Sequence, residues 1–203
     1  MSLSIQLVLC VSAYVLGSIP FGLLVGKARG IDIRTVGSGN IGATNVARAL
    51  GKPWAIFVLI FDALKGFVPV YVTREILTGT SPWLVAAVGL SAIVGHMFTV
   101  FLRGQGGKGV ATSLGVAVGL SPPIALSCLG IYVIGYSATR LSSVGSLLGM
   151  WAFPAIALIR GTQPRAHVAL SVACALLVTW RHRDNIRRIV RGEERGASSA
   201  KRA

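Results

Sequence analysis

The sequence predicts an all-α, polytopic membrane helical bundle of seven spans, two of them short, with the N-terminus outside and the C-terminus cytoplasmic. Three observations carry that expectation. Apolar runs near 20 residues recur along the 203-residue chain, more than a soluble fold of this length can hide. Charged residues make up only 13% of it, where a soluble domain carries about 25%, and 53% are hydrophobic. The 20 Lys and Arg, against 6 Asp and Glu, are spread unevenly about the apolar runs. In a soluble protein a net charge of +14 points to nucleic acid. Beside apolar spans it points instead to the positive-inside rule and to anionic lipid headgroups, with no nucleic-acid partner.

The first span, residues 3–25, opens MSLSIQLVLCVSAYVLG with no basic segment, so it reads as a true span and not a cleaved signal peptide. The second and third, 53–78 and 83–102, are long and apolar. The stretch 109–139 is too long for one span, and SPP at 121–123 interrupts it. Proline lacks a backbone donor and clashes with the preceding turn. One kinked helix, or two short spans at 109–121 and 124–139, would both fit. The last two spans are 143–159 and a shorter 166–180.

Charge decides between the readings of 109–139. With two short spans, sixteen of the twenty basic residues share one side; Arg74, Arg160 and Arg165 lie on the other, and Lys65 is within a span. With one kinked span the basic C-terminal segment would be translocated, so seven spans are expected. Spans of about 13–16 residues reach only about 20–24 Å at 1.5 Å per residue, short of a hydrocarbon core of about 30 Å. They are expected to tilt, or to insert partly beside a thinned or water-accessible region. One domain, 1–194, accounts for the spans, and 195–203 reads as a disordered basic tail.

GLLVG (22–26), GVAVG (115–119) and GSLLG (145–149) match GxxxG, the small-residue pattern that lets helix backbones approach in lipid. Cys10, Cys128 and Cys174 are isolated in apolar runs without metal spacing and read as packing residues. Asp62 and Lys65, at i and i+3 in the second span, are expected to pair, because either alone is costly in lipid. His96, about two-thirds along the third span, is expected to face the interior.

Four polar segments fall on the predicted cytoplasmic side: GSGNIGATNVARALGK (37–52), RGQGGKGVAT (103–112), RLSSVGS (140–146) and WRHRDNIRR (180–188). The outer loops are short and bland. Gly37, Gly39 and Gly42 spell GxGxxG, with Asp62 twenty residues on. A dinucleotide fingerprint needs a preceding strand and a βαβ unit, and a membrane span stands there instead. The second segment is no P-loop either, since Gly109 follows Lys108 and position 102 is Leu.

What survives is anion chemistry. Glycine loops expose successive N–H groups, and Ser38, Asn40, Thr44 and Asn45 add side-chain donors. Arg48 lies one helical turn beyond Thr44, and Lys108 supplies a point charge. Asp and Glu are absent from 33–61 and from 76–183, apart from these flanks, so the loops imply a pocket without carboxylates. That favours an anionic ligand over a carboxylate-held metal, and no metal or cofactor is expected. No Ser–His–Asp or Cys–His set is evident, which disfavours a covalent acyl-enzyme.

With SIPFG (18–22), GSGNIGATNVAR, GHMFTVFLRGQGGKGVAT (95–112), RLSSVGS and HRDNI (182–186) in hand, the chain resembles the acyl-phosphate-dependent glycerol-3-phosphate acyltransferases of bacteria (PlsY-type). It departs mildly: Thr99 stands where Pro is usual, and Gln105 where Lys is common. The H-x₄-D motif of unrelated acyl-CoA enzymes is absent, position 101 being Phe. The resemblance implies attack of the sn-1 hydroxyl of glycerol-3-phosphate on a long-chain acyl phosphate, giving lysophosphatidate and phosphate at the inner membrane surface. It implies phosphate contacts from Ser38, Arg48, Lys108 and Ser146, and from backbone donors around Gly39–Thr44, including Gly42, and around Gly106, Gly107 and Gly109. Thr112 closes the second motif. Ser143, His182 and Asn185 are implied near the reacting groups, the latter two on one helix face, and His96 beside the site. A monomer is expected. The remaining alternative is a small-anion or lipid-phosphate transporter, which places its site near the midplane between repeats; no convincing repeat is present.

Overall fold

A first helix that breaks at a proline sets up the rest of the bundle. The structure, a computed structural model, describes residues 1–194 and 196, so the expected tail falls outside the described residues except for Gly196. Helix α1 (Leu3–Ser18) stops where Ile19 turns extended before Pro20, and α2 (Phe21–Ala28) follows. The predicted single span is thus two helices. A break inside a membrane frees carbonyls that lipid cannot serve. Here Thr99 Oγ1 donates to the Ser18 carbonyl at 2.6 Å, and Lys65 Nζ donates to the Ile19 carbonyl at 2.8 Å.

A 3₁₀ turn (Ile33–Thr35) and α3 (Ala43–Leu50) lead into α4 (Lys52–Tyr71), which runs on into a π-helical turn (Val72–Ile76). Then come α5 (Pro82–Met97), a 3₁₀ turn (Val100–Leu102), α6 (Val110–Leu120), α7 (Pro122–Thr139), α8 (Ser142–Arg160), α9 (Arg165–Arg181) and α10 (Arg183–Val190). Among the described residues there is no strand, as expected.

The stretch 110–139 is two helices. Pro122 and Pro123 do more than interrupt: they begin α7, so it starts two residues earlier than expected, with the fixed φ of proline suited to a first turn. The 11-residue α6 leaves its last carbonyls short of partners, and the Arg74 guanidinium supplies them, donating to the Gly119 carbonyl at 2.9 Å and also to that of Leu120. Five stretches are long and apolar enough to cross a bilayer: Leu3–Ala28, Lys52–Ile76, Pro82–Leu102, Pro122–Thr139 and Ser142–Arg160. At 1.5 Å per residue α6 spans about 16 Å and the 17-residue α9 about 25 Å. Seven crossings require both of these as well.

The helices pair tightly as α1 with α5, α4 with α6 and α7 with α8. Two of the three GxxxG motifs serve these contacts. A Cβ on Gly115 would overlap the Ala63 carbonyl, and one on Gly145 the Tyr132 carbonyl. The first motif packs differently: Gly22 and Gly26 lie against the backbone of Ile41 and Ile31, in the loop leading to α3. The largest apolar cluster joins Ile93 and Met97 of α5 to Val116, Ile124, Phe153, Leu170 and Val178.

The expected buried pair is present, Lys65 Nζ lying 2.8 Å from Asp62 Oδ1, with both side chains nearly fully covered. His96 Nδ1 stands 3.7 Å from the same oxygen. His96 is buried as expected but sits in the last turn of α5, because that helix stops at Met97 and 98–102 is irregular and 3₁₀.

Candidate active site

The N-termini of α3, α6 and α8 all open onto one cavity of about 820 Å³. Each presents first-turn N–H groups that no carbonyl of its own helix can accept, and the positive end of a helix dipole. Three such ends at one place favour an anion before any side chain is counted.

The first polar segment is shaped by one amide. Asn45, 1% exposed, accepts the Ser38 N–H at 3.0 Å and donates to the Ile33 and Val36 carbonyls at 2.8 and 3.0 Å. Asn40 Oδ1 accepts the Gly42 N–H at 2.8 Å, and α3 begins there. One turn into α3, Arg48 reaches the cavity wall. In the second segment, the Gly106 and Gly107 N–H groups donate to the Met97 and His96 carbonyls at 3.1 and 3.0 Å. Gly109, at φ +83°, then turns the chain into α6, and a Cβ there would collide with Met97. Between them Lys108 reaches Asn185 Oδ1 with a 2.5 Å hydrogen bond.

The third segment starts α8. Ser142 Oγ lies 3.4 Å from Thr44 Oγ1, bringing the first and third segments together. Ser143 Oγ donates to Glu194 Oε1 at 3.2 Å, and Ser146 Oγ donates to the Ser142 carbonyl at 2.8 Å. His182 joins α9 to α10; its Nδ1–H donates to the Val178 carbonyl at 2.8 Å, which leaves Nε2 as an acceptor. After α10, the Glu193 N–H returns to the Arg188 carbonyl and the Gly192 N–H to that of Ile189, with Gly192 at φ +69°. This is a Schellman cap, and it folds the chain back. Glu194 is thereby delivered to Asn185 Nδ2 at 2.5 Å and Arg188 Nε at 2.6 Å.

These neighbours set the protonation states. Burial, with the cations of Arg188, Arg48 and Arg181, brings the Lys108 ammonium down to about 8, while Glu194 pulls the other way. Burial, and then the charge of Lys108, pushes His182 down to about 4, so its ring is neutral at pH 7; the Val178 bond and Glu194 oppose this weakly. Burial alone would raise Glu194, but hydrogen bonds from Asn185 and Arg188 outweigh it and hold the carboxyl below its ordinary value.

Thirteen of the residues named from the sequence line the cavity: Ser38, Asn40, Gly42, Thr44, Asn45, Arg48, His96, Lys108, Gly109, Ser143, Ser146, His182 and Asn185. The other four do not. Gly39 sends its N–H to the Val36 carbonyl, and Gly106 and Gly107 have theirs engaged on α5. Thr112 is fully buried, its carbonyl packed against Gly66 of α4. Asn45 is a further correction: it borders the cavity, but its amide is committed to the loop. The expected absence of carboxylates also fails, since Asp62, Glu193 and Glu194 all reach the wall. The loops themselves carry none; the α10 cap and the second span bring them in. Ser142, Arg188 and Glu194 were not singled out from the sequence. Gly192 just beyond a helix was the available signal for the returning turn.

Away from the polar groups the cavity is lined by apolar side chains, among them Leu120, Leu129, Phe153 and Leu170. One space therefore offers donors and cations at one part and hydrocarbon at another. Known proteins share this sequence pattern and fold. A family model described as glycerol-3-phosphate acyltransferase matches residues 7–192. A glycerol-3-phosphate acyltransferase of Anaeromyxobacter dehalogenans (strain 2CP-1) is 51% identical, covering 92% of this chain and 94% of its own. One from Rubrobacter xylanophilus is 44% identical, covering 94% of each. The crystal structure of PlsY (YgiH), an integral membrane glycerol 3-phosphate acyltransferase, in its glycerol 3-phosphate form superposes with a TM-score of 0.90 at 38% identity over 94% of both chains. Its lysophosphatidic acid form gives a TM-score of 0.88 at 37% identity. The helical fold, the two-natured cavity and these relatives agree: the chain is a multi-pass membrane acyltransferase and belongs to the glycerol-3-phosphate acyltransferase family.

Proposed function

We propose that the chain transfers a long fatty acyl group from acyl phosphate to the sn-1 hydroxyl of glycerol-3-phosphate. The observation that carries this reading is the single cavity in which Arg48, Lys108 and Ser146, from three separate segments, meet an apolar wall. Both substrates bring phosphate to the cationic part, and the acyl chain takes the apolar part. The hydroxyl oxygen bonds to the acyl carbon, the bond from that carbon to the phosphate-bearing oxygen breaks, and phosphate leaves with the electron pair. The hydroxyl proton passes to the phosphate of the donor. Acyl phosphate is an activated mixed anhydride, so positioning and charge stabilisation can carry most of the work.

Within this reading Ser38, Arg48, Lys108 and Ser146 hold phosphate together with the N-termini of α3, α6 and α8. Ser143, His182 and Asn185 stand beside the reacting groups. The neutral His182 presents an acceptor nitrogen that can orient a glycerol hydroxyl. The relative's glycerol 3-phosphate and lysophosphatidic acid forms match the acceptor and the product proposed here. The enzyme works as a monomer in the bacterial inner membrane among anionic lipids, with seven crossings, its N-terminus outside, and the cavity facing the cytoplasm.

Purified protein given acyl phosphate and glycerol-3-phosphate tests this directly. Phosphate release that requires both substrates, with lysophosphatidate formed, is the expected result. Activity with acyl-CoA and none with acyl phosphate would overturn the donor. Phosphate uptake into vesicles without acyl transfer would return the transporter reading. Cysteine labelling from either side of sealed vesicles, at Gly79 against Arg140, tests the orientation: Gly79 labels only from outside.

A further inference from the structure

Gly106 and Gly107 stand off the cavity, yet they are the most firmly tied part of the second polar segment. Their N–H groups are engaged on the carbonyls ending α5, as described. Their own carbonyls accept from a single side chain, Arg181, the last residue of α9: Nε donates to Gly107 at 3.0 Å and Nη2 to Gly106 at 2.5 Å. That guanidinium lies 5.5 Å from the ring centre of Phe98 and 5.8 Å from that of Trp180, and the two rings stack on each other at 5.8 Å. A planar cation held against two aromatic rings, with two donors in a fixed fork, is a rigid fixture in a way that a lysine is not.

No side chain fits beneath it. A Cβ on Gly106 would overlap the His96 carbonyl, and one on Gly107 the His96 ring. The glycines are there so that the loop can lie flat between α5 and Arg181. Lys108 is the next residue; it lines the cavity, and its ammonium donates to Asn185, another residue of the cavity wall.

We propose that Arg181 is a positioning residue of this acyltransferase: by clamping the Gly106 and Gly107 carbonyls it fixes Lys108 where the phosphate-bearing substrates bind. The second half of that statement rests on the reading of Lys108 given under the proposed function. The clamp also has an electrostatic signature. Lys108 feels Glu194 beyond α10, Arg188 on α10, Arg48 on α3 and Arg181 on α9, with His182 neutral beside it. Loss of the Arg181 charge lets the Lys108 ammonium hold its proton to higher pH.

Two variants of the full chain, Arg181→Met and Arg181→Lys, test the proposal by hydrogen–deuterium exchange, steady-state kinetics and pH profiles. Exchange over 103–109 is expected to rise at least tenfold in both variants, with α5 and α7 protected as in the parent. KM for glycerol-3-phosphate is expected to rise about tenfold in both with a smaller change in kcat. The alkaline limb of kcat/KM moves up in Arg181→Met alone, because Lys keeps the charge without the fork. Should the Met variant not fold, Arg181→Lys still carries the exchange and KM tests. Unchanged exchange across the loop, or full rescue by Lys, overturns the clamp. Lys108→Met separates the two claims. If it leaves KM unchanged, the phosphate reading of Lys108 falls, while a loosened loop in the Arg181 variants leaves the clamp standing.

Discussion

Lys108 Nζ donates to Asn185 Oδ1 across 77 residues of sequence, joining the second polar segment to α10. The bond gathers into one wall two groups whose shared duty the sequence could only imply. It also makes the charge on Lys108 the most informative titration in the cavity. With the free-enzyme group at about 8, kcat/KM for glycerol-3-phosphate should fall tenfold per pH unit above that value, as the cation proposed to hold phosphate is lost. The sign follows from binding: an anionic substrate favours the protonated form, so the limb in kcat lies at higher pH than the limb in kcat/KM. Lys108→Arg should abolish the limb within the measurable range while lowering activity, because a fork replaces a point charge. A pH profile of the Arg variant that keeps a limb near 8 would sink the assignment.

His182 makes the opposite kind of statement, about stability in acid. Its folded value of about 4 lies below the unfolded 6.5, so the unfolded chain binds more protons between those values. Stability contributed by this group is therefore complete above pH 6.5 and is lost as pH falls to 4. At about 1.4 kcal/mol per unit the full loss is about 3 kcal/mol, fitting a residue only 2% exposed. His182→Gln, which carries no charge to bury in acid, should lack this part of the acid slope. Melting temperatures of both proteins from pH 7.5 to 4.5 provide the check, and parallel curves would refute it.

The two residues also mark what the sequence could and could not disclose. Helix existence was legible, because long apolar runs in lipid admit few other structures, and Pro122 marked the division of 110–139. The convergence of Arg48, Lys108 and Ser146 was foreseeable from sidedness and motif. The errors lie where backbone groups find partners in other helices. Gly106 and Gly107 looked like free donors, but their N–H groups had carbonyls of α5 to meet. Asn45 looked like a ligand, but an amide with one acceptor and two donors was what the loop from Ile33 to Ser38 required. Glu194 entered the cavity through a Schellman turn, which depends on a single glycine after a helix and is easily passed over. Breaks were hard to place too: the extended Ile19 carbonyl takes one donor locally, the Phe21 N–H at 3.1 Å, and a second from Lys65, 46 residues on.

That last link gives a third prediction. Asp62→Leu leaves the Lys65 ammonium buried without its carboxylate, and Lys65→Met takes the ammonium from the Asp62 carboxylate and leaves the Ile19 carbonyl with the Phe21 N–H alone. Breaking a buried pair by removing one member costs about 3–5 kcal/mol, whereas replacing both by apolar groups is often neutral. The double variant Asp62→Leu/Lys65→Met should therefore melt above either single variant. It should still melt below the parent, because the Ile19 carbonyl loses a hydrogen bond from a charged donor, worth about 1.5–3 kcal/mol, and keeps only the Phe21 N–H. Thermal melting of the four proteins in one detergent decides this, and additive losses in the double variant would show that the two residues act independently.

A fourth prediction separates glycine as a packing device from glycine as a helix weakness. Gly115 of α6 and Gly130 of α7 both lie inside helices, where alanine is favoured by about 1 kcal/mol on propensity alone. Their surroundings differ. A Cβ at Gly115 overlaps the Ala63 carbonyl of α4, whereas a Cβ at Gly130 meets nothing within 4 Å. Backbone cannot move aside as a flexible side chain can, so Gly115→Ala must push α6 away from α4, at a cost of about 1–3 kcal/mol that exceeds the propensity gain. Because α6 carries Gly109 and the first-turn donors at its N-terminus, that displacement should also raise KM for glycerol-3-phosphate. Gly130→Ala should melt at or above the parent temperature with unchanged kinetics. Equal behaviour of the two variants, in melting and in KM, would mean that the close approach of α4 and α6 neither stabilises the bundle nor places the cavity.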